Sequence, residues 1–278
     1  MCAIPSDVPQ RCPYTMTLTT SVTIYGKDKP HDYSDFSINR YHWKKTELRT
    51  MIPDTKFENL SKDQNDRNTG YVMTKKDVWT VTPIINDEND ALKLANALLD
   101  SGISIMEITL RTPKALEIIA SLKKRLPEMA IGAGTVLNDD QFHTAIKHHS
   151  DFIVSPGLTR QLIQVSQNYD APLLPGAVTP SEIMHAFDNG FEFLKFFPAE
   201  SYNGIKTLKS LAPVFPNVKF CPTGGITLQN LADYLVLPNV IAVGCSFLAD
   251  NKLIREGKFN QITQLARSAV DILNQLLT

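Results

Sequence analysis

Nowhere in the chain do about eighteen apolar residues follow one another, so no segment has the length and hydropathy of a membrane-spanning helix. An excess of either charge is missing too. The 28 Lys and Arg against 29 Asp and Glu leave a net charge of −1, without the electrostatic footprint of a nucleic-acid or anionic-membrane binder. Partners are therefore expected among small molecules and further copies of the chain. Cysteine is sparse: Cys2, Cys12, Cys221 and Cys245 form no CxxC pair and read as reduced cytosolic thiols. A secretory signal is absent from the first twenty residues, because Pro5, Asp7, Pro9, Gln10 and Arg11 interrupt any apolar core. The expected localisation is cytoplasmic.

Histidine is also scarce, at six, and no HxH or His/Cys cluster has ligand spacing. His31 and His42 lie early in the chain, and His143, His148, His149 and His185 fall in helical patterns. No metal is expected. The first strand-like run is not followed by GxGxxG, since 83–90 contains no glycine. That weakens the case for an open doubly wound sheet with a dinucleotide site.

Composition changes near residue 72. The 1–72 segment mixes charges and polar residues with almost no periodic apolar pattern, as expected of a low-order N-terminal extension. It reads either as a functional tail or as an overlong start, with Met73 the candidate initiator. From Thr80 the pattern is regular. Short apolar runs fall at 81–85, 105–110, 130–134, 152–155, 171–174, 193–197, 218–221 and 240–243. Most are rich in Ile, Val, Leu or Phe, as strands buried on both faces should be. Stripes at helical spacing lie between them, for example Ala91, Leu94, Ala95 and Leu98, then Ile118, Ile119 and Leu122. Thr179-Pro180-Ser181-Glu182 is a helix-start signature, and 259–277 predicts a closing helix. Eight strand runs, most followed by a helix pattern, predict an α/β fold: a compact TIM (β/α)₈ barrel over 73–278.

Strand interiors of a parallel barrel should be apolar, so charges in mid-strand stand out. Lys195 sits among Phe193, Leu194, Phe196 and Phe197. Apolar surroundings disfavour an ammonium and free a nucleophilic amine; the alternative is an edge lysine reaching solvent. Alternation places Ile105, Glu107, Thr109 and Arg111 on one strand face. A carboxylate inside the barrel can move protons, and a guanidinium at the mouth can clamp a substrate carboxylate. A structural Glu107–Arg111 ion pair is the alternative. Lys219, near the start of its run, reads as a solvated strand entry. Glycine turns after the seventh and eighth runs, Thr223-Gly224-Gly225 and Gly244-Cys245-Ser246, suit a phosphate, although glycine is also an ordinary turn residue.

Five motifs occur in order: Glu107-Ile108-Thr109-Leu110-Arg111-Thr112, Gly132-Ala133-Gly134-Thr135-Val136-Leu137, Ser155-Pro156-Gly157-Leu158-Thr159, Lys195-Phe196-Phe197-Pro198-Ala199-Glu200 and Cys221-Pro222-Thr223-Gly224-Gly225-Ile226. Together they closely resemble the family of 2-dehydro-3-deoxy-phosphogluconate (KDPG) and 4-hydroxy-2-oxoglutarate (KHG) aldolases, over essentially all of 81–277. The resemblance implies a cytoplasmic homotrimer of small barrels in the Entner–Doudoroff pathway. It would cleave 2-dehydro-3-deoxy-6-phosphogluconate to pyruvate and glyceraldehyde 3-phosphate with no metal or organic cofactor. It further implies Lys195 as the Schiff-base lysine and Glu107 as general acid/base. Arg111 and Thr135 would hold the pyruvate carboxylate, and Pro156 and Phe197 would shape its pocket. Thr223, Gly224, Gly225 and Ser246 would contact the distal hydroxyls and phosphate.

Two departures stand out. The family commonly has a second glycine where this chain has Cys245, and a side chain there is expected to narrow the phosphate site. The family's short capping helix before the first strand is not evident after Met73. Competing readings are an aldolase for another 2-keto-3-deoxy sugar acid, a phosphate-binding barrel isomerase or epimerase, and a non-catalytic binding protein on the same scaffold. Hydride trapping with pyruvate separates the lysine chemistry from the last two.

Overall fold

The computed structural model describes residues 79–169 and 171–277. The 1–72 segment, the Met73 start and the expected position of the capping helix lie outside the described residues. From Trp79 onward strands and helices alternate. The chain runs β1 (Trp79–Val81), α1 (Glu88–Leu99), β2 (Ile105–Thr109), α2 (Ala115–Arg125), β3 (Ala130–Gly134), α3 (Asp139–Lys147), β4 (Phe152–Val154) and α4 (Arg160–Ser166). It continues β5 (Leu173–Leu174), α5 (Pro180–Asp188), β6 (Phe193–Phe196), α6 (Gly204–Leu211), β7 (Lys219–Pro222), α7 (Leu231–Leu235), β8 (Val243–Cys245), α8 (Asn251–Arg255) and α9 (Phe259–Leu277).

Every strand pairing is parallel. Six strands form one curled sheet in the order β5-β4-β3-β2-β1-β8, and β6 pairs with β7. Single parallel bridges join the two sheets: Gly176 to Lys195 on one side, Phe220 to Val240 and Thr223 to Gly244 on the other. Because side chains alternate along a strand, each strand has a helix-facing set and an opposite set. Val81, Met106, Ile108, Ile131, Ala133, Ile153, Leu194, Phe196, Phe220, Val243 and Cys245 join the main core with the helices. Cys221 and Ala242, with Leu174 and Phe193 against them, make a separate small cluster.

Helix starts follow local chemistry. Asp87, Asn138, Thr159, Thr179 and Asp250 each cap a helix by accepting a hydrogen bond from a first-turn backbone N–H. The expected start at Thr179 is a full capping box. The Thr179 hydroxyl accepts from Glu182 N–H at 3.4 Å, and the Glu182 carboxylate accepts from Thr179 N–H at 2.8 Å. The closing helix falls where its pattern predicted and docks on α1: the Thr263 hydroxyl donates to Ala97 O (3.2 Å) and the Arg267 guanidinium to Asp100 O (3.2 Å).

Several strand limits differ from the sequence pattern, some by a single residue, and those of β1, β5, β7 and β8 have identifiable causes. β1 ends at Val81, before the apolar 82–85, because Pro83 has no N–H for a ladder. Those residues form a loop that Thr109 and Thr112 pin by donating to Pro83 O (2.9 Å) and Ile85 O (2.8 Å). Pro172 likewise confines β5 to Leu173–Leu174. β7 starts one residue late, because Val218 N–H still bonds to Phe215 O in the preceding turn (3.1 Å). β8 begins at Val243 rather than Val240. The bridges Phe220–Val240 and Thr223–Gly244 set three steps of one strand against four of the other, so one extra residue is accommodated there.

Removing the capping hydroxyl tests how much of this order is local. Thr179→Ala should cost about 1 kcal/mol, lowering the melting temperature by roughly 2–4 °C for a domain of this size, as read by differential scanning calorimetry.

Candidate active site

Burying an unpaired charge is costly, so buried ionisable side chains need partners. Among the described residues the buried charged side chains are Glu107, 2 % exposed, and Lys195, 7 % exposed. They meet each other. Lys195 Nζ donates to Glu107 Oε1 at 3.1 Å, with Oε2 at 3.4 Å. The ion pair therefore forms across the two sheets, not between Glu107 and Arg111.

The backbone fixes both partners. Lys195 N–H donates to Pro175 O (2.8 Å) and Lys195 O accepts from Ala177 N–H (3.0 Å), while β7 lies on its other side with Cys221 in register. Glu107 pairs with Gly132 in β3, and Thr109 with Gly134. A Cβ on Gly134 would overlap the Glu107 carboxylate, and one on Gly132 would overlap the Phe152 ring. The second glycine of this motif is thus the space into which Glu107 fits. The Phe197 ring, 40 % exposed, lies 5.6 Å from Lys195 Nζ, within reach of a cation–π contact.

The remaining expected residues sit at the C-terminal ends of the parallel strands. Arg111 is exposed just beyond β2. Its N–H bonds back to Thr109 O at 2.7 Å, a tight turn that ends the strand alternation before Arg111. Alternation along β2 therefore reaches only to Thr109, and the turn rather than the pleat sets the position of Arg111. Thr135, half-buried after β3, has φ 60°. A left-handed conformation is strained for a β-branched residue, at about 1–3 kcal/mol, and such strain concentrates at functional sites. Pro156 is exposed in a turn closed by the Ser155 hydroxyl donating to Gly157 O (2.6 Å). Thr223 is buried against Gly244, which has no room for a Cβ there. Gly224 and Gly225 follow with φ 95° and 80°, and Ser246 is exposed after β8. Lys219 is half-buried and donates to Pro238 O (3.2 Å), which suits a strand entry.

Cys245 corrects an expectation. Its side chain is fully buried in the main core beside the helix layer, so alternation turns it away from Gly244 and the strand-end turns. It does not narrow a site there. The other thiol is the more relevant one and was not singled out from sequence. Cys221 shares the Lys195 face, and burial pushes its pKa up to about 12; Lys195 pulls it down, Glu107 raises it and Thr223 lowers it. The signal was the β6–β7 register, which is not readable from either strand alone. No group of three or more His, Cys, Asp or Glu among the described residues is arranged to hold a metal ion.

The Cys221 shift has a defined sign. An ordinary thiol titrates near 9 and this one at about 12. Folding therefore favours the neutral thiol, and this contribution, complete below pH 9, is lost as pH rises toward about 12. Chemical denaturation should show stability falling across that interval, less steeply in Cys221→Ala. In the native protein at neutral pH, peptide mapping after a thiol-alkylating reagent should find Cys221 unmodified.

A family model described as "Aldolase: KDPG and KHG aldolase" matches residues 71–265. The chain is 42 % identical over 187 residues to 2-dehydro-3-deoxy-phosphogluconate aldolase of Pseudomonas aeruginosa, covering 67 % of this chain and 85 % of that protein. It is 40 % identical over 188 residues to the KHG/KDPG aldolase of Escherichia coli K12, covering 68 % and 88 %. Among solved structures, KDPG aldolase of Legionella pneumophila, with pyruvate captured at low pH as a covalent carbinolamine intermediate, superposes with a TM-score of 0.69. It is 40 % identical and is covered over 96 % of its length by 71 % of this chain. The Zymomonas mobilis ZM4 aldolase with 3-phosphoglycerate gives 0.64 at 39 % identity, covering 70 % of this chain and 92 % of that one. With the paired buried lysine and carboxylate on neighbouring faces, these matches decide the assignment: the chain belongs to the KDPG and KHG aldolase family.

Proposed function

We propose that this protein is a class I aldolase whose Lys195 forms a Schiff base with a 2-keto acid. It cleaves 2-dehydro-3-deoxy-6-phosphogluconate to pyruvate and glyceraldehyde 3-phosphate and also acts on 4-hydroxy-2-oxoglutarate. One observation carries the reading: a lysine amine, almost sealed from water, lies 3.1 Å from a carboxylate that is sealed as well. Pyruvate held as a carbinolamine in the Legionella relative supports it.

The steps follow from that pair. Glu107 takes a proton from Lys195, and the free amine adds to the C2 ketone. Glu107 returns protons, through water where needed, as the carbinolamine loses water to an iminium. The proton of the C4 hydroxyl passes to Glu107 or to water held by it, the C3–C4 bond breaks, and its electron pair flows into the iminium to give an enamine. The aldehyde leaves, C3 is reprotonated, and water releases pyruvate and the amine. The iminium is the electron sink, so the chemistry calls for no metal or organic cofactor.

Arg111 and Thr135 hold the substrate carboxylate, a role a planar guanidinium suits, while Pro156 and Phe197 bound the pocket. Thr223, Gly224, Gly225 and Ser246 receive the distal hydroxyls and phosphate, since positive-φ glycines offer backbone N–H groups without an intervening Cβ. The strands close as a (β/α)₈ barrel through the bridges at Lys195 and Gly244. Residues 73–278 are the aldolase domain, supported by the family match over 71–265, and 1–72 is an extension. Assembly as a homotrimer and a cytoplasmic location rest on the family resemblance.

Incubation with pyruvate and borohydride should add a reduced adduct to Lys195, located by peptide mass mapping; no adduct, or one at another lysine, refutes the reading. Glu107→Gln should slow turnover by about 10²–10⁴-fold, the usual size of general acid–base help, while Lys195 stays trappable. Wild-type turnover in that variant would exclude Glu107 from the role.

A further inference from the structure

We infer that Glu200, held by Tyr234, is a positioning residue that sets the 223–225 turn for the phosphorylated end of the substrate. This rests on the proposed reading of that turn. Glu200 ends the Lys195 motif, five residues beyond the lysine on the segment leaving β6, and its role is distinct from the lysine chemistry. Two backbone hydrogen bonds lay this segment on the turn after β7: Ala199 N–H to Thr223 O at 2.8 Å and Glu200 N–H to Gly224 O at 3.1 Å. The side chain continues the contact. A Cβ on Gly225 would lie 2.5 Å from Glu200 Cγ, so the turn rests on the stem of Glu200. A Cβ on Gly224 would likewise lie 3.3 Å from the Phe197 ring.

The carboxylate is anchored from the other side. Tyr234, fully buried on α7, donates its hydroxyl to Glu200 Oε1 at 2.5 Å. Gly204 leaves the space that hydroxyl occupies, because a Cβ there would strike it. Asn230, the residue before α7, completes the frame by donating to Gly225 O at 3.1 Å and accepting from Thr227 N–H at 2.8 Å. One residue therefore ties three elements together, through its backbone N–H, its stem and its carboxylate: the exit of the lysine strand, the glycine turn and α7. It also carries a negative charge next to a turn suited to an anion. The tyrosine resolves this by fixing the direction of the carboxylate and occupying one of its oxygens.

The test compares 2-dehydro-3-deoxy-6-phosphogluconate with its unphosphorylated counterpart in wild type, Tyr234→Phe, Glu200→Ala and Glu200→Gln, alongside pyruvate trapping at Lys195. Tyr234→Phe and Glu200→Ala should raise KM for the phosphorylated substrate about tenfold, the size of one charge-assisted hydrogen bond. Their kcat should stay close to wild type, with KM for the unphosphorylated substrate and the trapping rate unchanged. Glu200→Gln should restore KM, because its amide oxygen accepts the same hydroxyl. A lowered melting temperature with equal KM changes on both substrates, or no KM change in either variant, overturns the inference. When wild type prefers the phosphorylated substrate, such a failure leaves the reading of the turn standing. A wild type indifferent to the phosphate overturns both.

Discussion

The contact between Lys195 and Glu107 is the constraint around which the strand faces are organised. Withdrawing an ammonium or a carboxylate from water costs several kcal/mol each, and in a buried pair the mutual attraction must offset both. Removing either partner would leave the other as an unpaired buried charge, at a cost of about 3–5 kcal/mol. That dependence explains features which otherwise look unrelated. β3 carries glycine at position 134 because a side chain there would displace the carboxylate. The lysine backbone is hydrogen-bonded on the β5 side and in register with β7 on the other, which leaves its ammonium little freedom to leave the partner. An amine poised in this way has its proton acceptor already in contact.

Beneath the pair the face changes character. Cys221, Ala242, Leu174 and Phe193 form a small apolar cluster apart from the main core, and Glu107 is the buried carboxylate among the described residues. The neutral thiol suits that position: it is small, and its burial opposes ionisation. At the upper end the polar turns gather, with strained or glycine backbone at Thr135, Gly224 and Gly225. Charge and backbone irregularity thus concentrate toward the strand ends, while the regular ladders beneath supply rigidity.

Much of this was legible in the amino acids. Lys195 and Glu107 stood out because they interrupt apolar runs, and the capping box at Thr179 and the span of α9 followed from local pattern. The failures have physical causes of two kinds. Local hydrophobicity marked 82–85 and 240–242 as strand, but a missing proline N–H and an inserted residue in the ladder moved the edges. Alternation holds within β2 as far as Thr109, and Arg111 lies past the turn that ends the strand, where the pleat no longer sets its direction. The same alternation, carried from Gly244, would have turned Cys245 toward the helices. The neighbours of Cys221 and the clasp between Tyr234 and Glu200 depend on segments distant in sequence, and no local pattern encodes them.

The pairing of β1 with β8 has a consequence for biosynthesis. Trp79, Thr80 and Val81 find their partners at Val243, Gly244 and Cys245, almost the full length of the described residues later. Until the ribosome has delivered β8, the nascent chain carries one side of β1 as an open hydrogen-bonding edge, and such edges recruit foreign strands. Contacts this distant also slow folding. Synthesis that stops before residue 243 leaves that edge uncovered, so prematurely terminated products are natural clients for chaperones and proteases.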